Sequence, residues 1–88
     1  MIIRILGDRQ YQVPEKDLAE IERLDQAMTS ALDTGDDAAF SAALTDLIAK
    51  VRSSCDPLPD DDGRTSDMVV PHEGASLQEV RDMLDAGV

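Results

Sequence analysis

Two amphipathic helical patterns in succession, separated by a single Gly-Asp step, constrain the fold of this chain more than any other feature. The first covers residues 15–34, where apolar residues recur every three or four positions: Leu18, Ile21, Leu24, Met28 and Leu32. The second runs from residue 37 to 53 with Phe40, Leu44, Leu47, Ile48 and Val51 on one face. Gly35 is suited to a left-handed helix end, and Asp36 to capping the next helix. The short link predicts an antiparallel helical hairpin.

A β-hairpin is predicted before these helices. Residues 2–6 are mostly β-branched and apolar, and residues 10–13 alternate polar with apolar side chains around the Gly7-Asp8 turn. Both faces of the first strand carry apolar side chains, because Ile3 and Ile5 alternate with Ile2 and Leu6. We therefore expect the second face to be covered by another part of the chain or by a partner.

After the helices, residues 55–67 have the composition of an internal connector. Met68–Val70, closed by Pro71, predicts a short edge strand. A last helix opens at Ser76, with Glu79 at the capping-box spacing; its apolar residues are Leu77, Val80, Met83 and Leu84, and Gly87 ends it. The fold class is α+β: a single domain, 1–88, with a small sheet, a helical hairpin and a C-terminal helix in the order ββααβα. We expect the third helix to cover the other sheet face or an edge.

The charge of the chain restricts the partners it can have. Nineteen acidic and eight basic residues give a net charge of −11, which repels nucleic acids and anionic bilayers and attracts basic protein surfaces. One cysteine excludes an internal disulfide. No stretch approaches the roughly 20 apolar residues of a membrane span, and no signal-peptide pattern opens the chain. These features predict a cytoplasmic protein.

No residue pattern predicts catalysis, a cofactor or a metal. The aspartates of the connector crowd around a glycine, but their spacing does not match an EF-hand: Asp56, Asp60, Asp61, Asp62 and Asp67. His72 follows a proline in a polar connector without a nucleophile nearby in sequence. Cys55 follows a helix C-terminus, where the helix dipole disfavours a thiolate. We therefore predict that the protein is not an enzyme.

The remaining feature is the acidic outer surface of the first two helices. Its carboxylates are Glu15, Asp17, Glu20, Glu22, Asp25, Asp33, Asp37 and Asp46. Such a surface is commonly only the solvent side of an amphipathic helix, and Asp46 has Lys50 four residues on as an ion-pair partner. The alternative is an electrostatic docking surface. For that role we select four residues as partner-binding: Glu15, Glu20, Glu22 and Asp25.

Several segments together resemble the phage-shock-protein-A-associated family. They are the opening Met1–Gly7 with Gln10–Val13, the Leu24-Asp25 step, Thr34–Asp37, Pro57–Asp61, Ser66–Pro71 and the Leu77–Val80 helix start. Thr65, Met68 and the stretch 62–64 depart from the family pattern. The resemblance spans essentially the whole chain and implies a cytoplasmic accessory protein. Its partner would be phage shock protein A, a helical, ESCRT-III-like, membrane-remodelling oligomer of envelope stress.

The functional hypotheses follow from the resemblance and the charge. The first is an adaptor that binds phage shock protein A and tunes its assembly or its recruitment to the inner membrane, through the acidic helices or a sheet edge. The second is an acidic regulator that sequesters a basic nucleic-acid-binding protein, although nothing in the helices suggests the spacing of a phosphate backbone. Pairing of the outer strand face with a second copy, giving a homodimer, also stays open.

Overall fold

The computed structural model describes residues 1–59, 63 and 65–85, and the predicted elements are present in the order ββααβα. The α+β fold class is confirmed. The elements are β1 (Ile2–Ile5), β2 (Gln10–Gln12), a 3-10 turn (Glu15–Asp17), α1 (Leu18–Thr34), α2 (Asp37–Ser54), β3 (Asp56–Pro57), β4 (Met68–Val70) and α3 (Leu77–Asp85). The first helical pattern therefore divides into a 3-10 turn and an α-helix.

The strands form one mixed sheet in the order β3-β2-β1-β4. β1 pairs antiparallel with β2, with Ile3 opposite Tyr11, and parallel with β4, with Ile3 opposite Met68. β3 was not predicted: it lies in the connector 55–67 and pairs antiparallel with β2, with Pro57 opposite Tyr11. β3 gives the sheet a fourth strand and anchors the start of the connector.

The helical hairpin packs on one face of the sheet, as the two stripes predict. Gly35 has a φ of 75°, and its backbone N–H bonds to carbonyls of the last turn of α1. The Asp36 side chain accepts a hydrogen bond from the Ala39 N–H at 3.0 Å and so caps α2. The most deeply buried large side chains come from both layers: Ile3, Ile5, Ile21, Phe40, Leu47, Val51 and Val70.

The C-terminal helix joins this same core. Leu77 and Val80 are buried in it, and the Arg81 guanidinium donates to the Leu32 carbonyl at 2.9 Å. The predicted capping box is present, with the Glu79 N–H donating to the Ser76 hydroxyl at 3.1 Å. α3 thus packs with the helical hairpin and not on the opposite face of the sheet. The Leu84 side chain and Gly87 lie outside the described part of the chain.

The opposite sheet face is covered in part by the connector. Ile2 and Leu58 are each 8 % exposed, although neither belongs to the main core. The Gln10 side-chain amide donates to the Ser66 hydroxyl at 2.7 Å, and the Ile2 N–H donates to the Asp67 carboxylate at 2.9 Å. The expectation that another part of the chain covers Ile2 is therefore confirmed, because its side chain is buried within the chain itself.

Candidate partner-binding surface

α1 presents two adjacent stripes of side chains, which differ in burial. The inner stripe is buried against the core and consists of Ile21, Leu24, Met28 and Ala31. Beside it runs a second row at spacings of four, three, four and three residues, which we call the flanking stripe: Leu18, Glu22, Asp25, Thr29 and Leu32. Its two leucines and Asp25 are half-buried, and the other two members are exposed. α1 therefore has one face committed to the core and a neighbouring one open to solvent.

The four predicted partner-binding residues do not form one patch. A helix rotates by 100° per residue, so Glu20 and Glu22 point about 200° apart around α1. Glu20 lies on the side of α1 that is next to α2. Its pKa is lowered first by Arg23 and also by the charge of Lys50 on α2. Glu22 and Asp25 share the other side, where they line one shallow depression with Gln26 and Thr29. Glu15 is exposed in the 3-10 turn that precedes the helix.

The two sides also differ in charge compensation. Glu20 forms a two-pronged hydrogen bond with Arg23, in which Nη2 lies 2.6 Å and Nε 3.1 Å from the carboxylate oxygens. This bond with Arg23 lowers the pKa of Glu20. No basic side chain of the described residues forms an ion pair with Glu22 or Asp25. The described residues therefore neutralise Glu20 and leave Glu22 and Asp25 without an ion-pair partner among them.

Asp25 is the half-buried carboxylate of this surface. It sits one helical turn from Glu22 and Thr29, next to the inner stripe. Burial raises its pKa, and no other cause contributes. A desolvated carboxylate without a compensating cation is an unfavourable arrangement in the isolated molecule. An incoming ammonium or guanidinium group would relieve that cost.

Lys50 pairs with a different carboxylate from the one its sequence spacing suggests. Its ammonium lies 3.3 Å from the Asp17 carboxylate, in an ion pair whose side chains are 29 % and 14 % exposed. The predicted i, i+4 pair with Asp46 is therefore replaced by a contact between α2 and the start of α1. Asp17 is thereby neutralised, which removes it from the set of free acidic groups.

Arg52 carries an interaction that the sequence does not suggest. Its guanidinium lies 3.1 Å from the Asp8 carboxylate in the β1–β2 turn and 2.7 Å from the Glu73 carboxylate after β4. The Tyr11 hydroxyl donates to the same Asp8 carboxylate at 3.1 Å. The Arg52 side chain on α2 therefore connects the β1–β2 turn with the segment that follows β4. Only the position of Arg52 near a helix C-terminus was visible in the sequence.

The residues examined for chemistry occupy ordinary surroundings. Cys55 is buried, and burial, followed by the charge of Asp17, raises the pKa of its thiol. His72 lies with Nε2 at 3.4 Å from the Glu79 carboxylate. Within residues 1–59, 63 and 65–85 no cluster of three or more acidic, histidine or cysteine side chains could hold a metal ion. Asp60, Asp61 and Asp62 lie outside the described residues.

The PspA-Associated protein family, PspAA, matches residues 1–88, which is the full length of the chain. The chain belongs to this family. The description of the family names an association with PspA and no reaction. Comparisons with curated proteins and with solved structures found no match. In the part of the chain that the structure describes, no helix is both long and apolar enough to span a membrane.

Proposed function

We propose that this chain is a non-catalytic adaptor that binds PspA and tunes its assembly or its recruitment to the membrane. The observation that carries the proposal is the match of the PspA-associated family over all 88 residues. The chain offers its partner a small α+β fold on which Glu22 and Asp25 of α1 form no ion pair with any described basic residue. It would act in the cytoplasm, reaching the periphery of the inner membrane through PspA.

The binding force in this proposal is electrostatic attraction to a basic surface. With a net charge of −11, the domain is drawn to cationic proteins, and salt weakens that attraction. The acidic groups of α1 and the preceding turn supply the local field: Glu15, Glu20, Glu22 and Asp25. Of these, Glu22 and Asp25 are the stronger candidates, because Glu20 already holds Arg23.

Competition for basic residues gives the adaptor a way to control its partner. A polybasic protein surface binds anionic lipid headgroups through its Lys and Arg side chains. The same side chains would be occupied by the carboxylates of this domain, since both ligands are anionic. Binding would therefore lower the amount of PspA on anionic vesicles or in large assemblies, and high salt would weaken that effect.

The test combines purified PspA from the same host with this chain. Sedimentation velocity at low and high salt measures the complex, and flotation with vesicles containing anionic lipid measures PspA recruitment. We expect a complex at low salt that weakens as salt rises, and a smaller vesicle-bound or assembled fraction of PspA in its presence. Absence of a complex at low salt would overturn the proposal. If a pull-down from the host recovered a basic DNA-binding protein instead of PspA, the sequestering hypothesis would replace it.

A further inference from the structure

The flanking stripe of α1 has the spacing of a helix-pairing seam. Its middle residues Glu22, Asp25 and Thr29 are exposed or half-buried in the described part of the chain, and at its end Arg81 of α3 donates to the Leu32 carbonyl. Alternating steps of three and four residues place side chains along one line of a helix, which is the pattern that packs against a second helix. The line from Leu18 to Leu32 is about 21 Å long, or about four turns. The inner stripe next to it is already used by the core, so the flanking stripe is an additional seam.

The chemistry of the stripe specifies what would pack on it. Leu18 and Leu32, at the two ends, are half-buried apolar side chains that pack against the core cluster. Glu22 and Asp25 in the middle carry negative charge that no basic side chain in the described ranges compensates. A complementary surface therefore has apolar groups about 21 Å apart and cationic groups between them.

We propose that the flanking stripe is the docking seat for one amphipathic helix of the partner, whose basic residues face Glu22 and Asp25 and whose apolar residues cover Leu18 and Leu32. This inference rests on the proposed function, since it names the surface through which PspA is bound. Long Lys and Arg side chains suit this contact, because their apolar stems can cover the leucines while their charged ends reach the carboxylates. Salt would weaken the charged part of the contact, and the leucines would retain the rest.

A second copy of this chain does not fit the same seat. Asp25 stands midway between Leu18 and Leu32, so an antiparallel pair of stripes would place one Asp25 against the other. A parallel pair in register would oppose Glu22 to Glu22 and Asp25 to Asp25. Like charges opposed in a partly desolvated contact are unfavourable. The charge pattern therefore selects a basic helix over self-association through α1.

A steric pair of variants tests the position of the seat. Thr29 is exposed in the middle of the stripe, and its neighbour Ser30 is exposed but points about 100° away from it. We expect Thr29→Trp to weaken the complex with PspA by about tenfold or more, since bulk there lifts the docked helix off the central contacts. Ser30→Trp, which introduces the same indole side chain on the same helix, should leave the dissociation constant within about twofold.

A charge-reversal pair tests the complementarity. We expect Glu22→Lys with Asp25→Lys to weaken binding by about 10- to 100-fold at low salt and to flatten its salt dependence. The matched control, Asp37→Lys with Asp46→Lys, changes the net charge equally at two exposed sites of α2. That control should lose only the smaller long-range part of the attraction. Circular dichroism of each variant confirms that α1 remains folded.

A photoreactive residue at position 26 identifies the occupant. Gln26 is exposed and lines the same depression as Asp25 and Thr29. We expect it to crosslink to a helical PspA segment with Lys or Arg three or four positions apart, and exchange of those residues for Glu should restore binding to the Glu22→Lys, Asp25→Lys variant. If wild-type chain binds PspA while the Thr29 and Glu22/Asp25 variants bind equally well, the seat is wrong and the adaptor function stands. If wild-type chain does not bind PspA, the proposed function fails and this inference with it.

Discussion

The inner stripe and the flanking stripe of α1 lie side by side on one helix and differ in burial and in charge. The inner stripe is wholly apolar and buried at the interface with the sheet and α2. The flanking stripe keeps its apolar residues at the ends and places carboxylates in the middle, half open to solvent. The first arrangement stabilises the fold, whereas the second packs only its two leucines against the core and keeps Glu22, Asp25 and Thr29 outside it. In the proposed docking, stability and partner binding would rest on different sides of the same helix.

The sharpest test of this division compares neighbouring residues on the two stripes. Ile21→Ala should lower the free energy of unfolding by about 3 kcal/mol, because it opens a cavity at a fully buried position. Glu22→Ala should change it by less than about 0.5 kcal/mol, since the side chain is exposed and unpaired within the described residues. Urea denaturation of both variants measures the difference. A Glu22 variant as unstable as the Ile21 variant would show that the flanking stripe is part of the fold.

A smaller effect is expected where α1 turns into α2. Gly35→Ala should cost about 1–2 kcal/mol, because the residue has a φ of 75°, which side chains with a Cβ disfavour. The added Cβ would also lie 3.4 Å from the Arg81 guanidinium that donates to the Leu32 carbonyl. Gly63→Ala is the control, since no atom of the described residues lies within 4 Å of a Cβ there. Equal stability of the two variants in urea would contradict the left-handed helix end.

The Asp8 carboxylate, which pairs with Arg52, should contribute less to the free energy of unfolding than Gly35 does. Burial raises its pKa, but the hydrogen bonds from Arg52 and Tyr11 outweigh burial and leave the pKa lowered. A lowered pKa means stability that is present above the ordinary Asp pKa of about 3.9 and is lost as pH falls through the folded value. Asp8→Asn should therefore cost at most about 1 kcal/mol at pH 7, since the ion pair is solvent-exposed. The difference in the free energy of unfolding between wild type and Asp8→Asn, measured by urea denaturation, should disappear below about pH 4. A difference that stays constant with pH would argue against the ion pair.

The uncompensated carboxylate of Asp25 should show the opposite sign. Its pKa is raised by burial, so the charged form destabilises the folded state above the folded pKa, and the penalty disappears on acidification. Asp25→Asn should stabilise the free domain at pH 7 by less than about 0.5 kcal/mol, because solvent screens a half-exposed group. The gain should vanish at pH 3. Destabilisation by Asp25→Asn at pH 7 would reveal a stabilising contact at this carboxylate.

Local signals in the sequence were sufficient for the presence of the helices and for three of their ends. The spacing of apolar residues predicts α1 and α2, and Gly35, Asp36 and the Ser76–Glu79 pair fix three helix ends, since each acts within a few residues. The rotation of about 100° per residue along a helix separates Glu20 from Glu22 by about 200° around α1. That separation could have been found from the sequence, and grouping the four acidic residues into one patch ignored it.

Other features depend on residues distant in sequence. β3 has only two residues, one of them Pro57, and exists because β2 offers it a free edge. Lys50 pairs with Asp17 because the helical hairpin brings together residues 33 positions apart, whereas local spacing suggested Asp46. The side on which α3 packs follows from the common core with the hairpin. None of these has a strong local signal, because tertiary packing selects among several locally acceptable arrangements.

The parallel pairing of β1 with β4 has a consequence for synthesis. The second residue of the chain is bound to Asp67, which the ribosome adds 65 residues later. At about 5–20 residues per second, β1 waits several seconds or more with one edge unpaired. Until β4 is made, the nascent chain can form the helical hairpin but cannot complete its sheet. Completion of the sheet is therefore tied to the synthesis of β4, and a chain interrupted before residue 68 would expose β1 as an edge prone to aggregation.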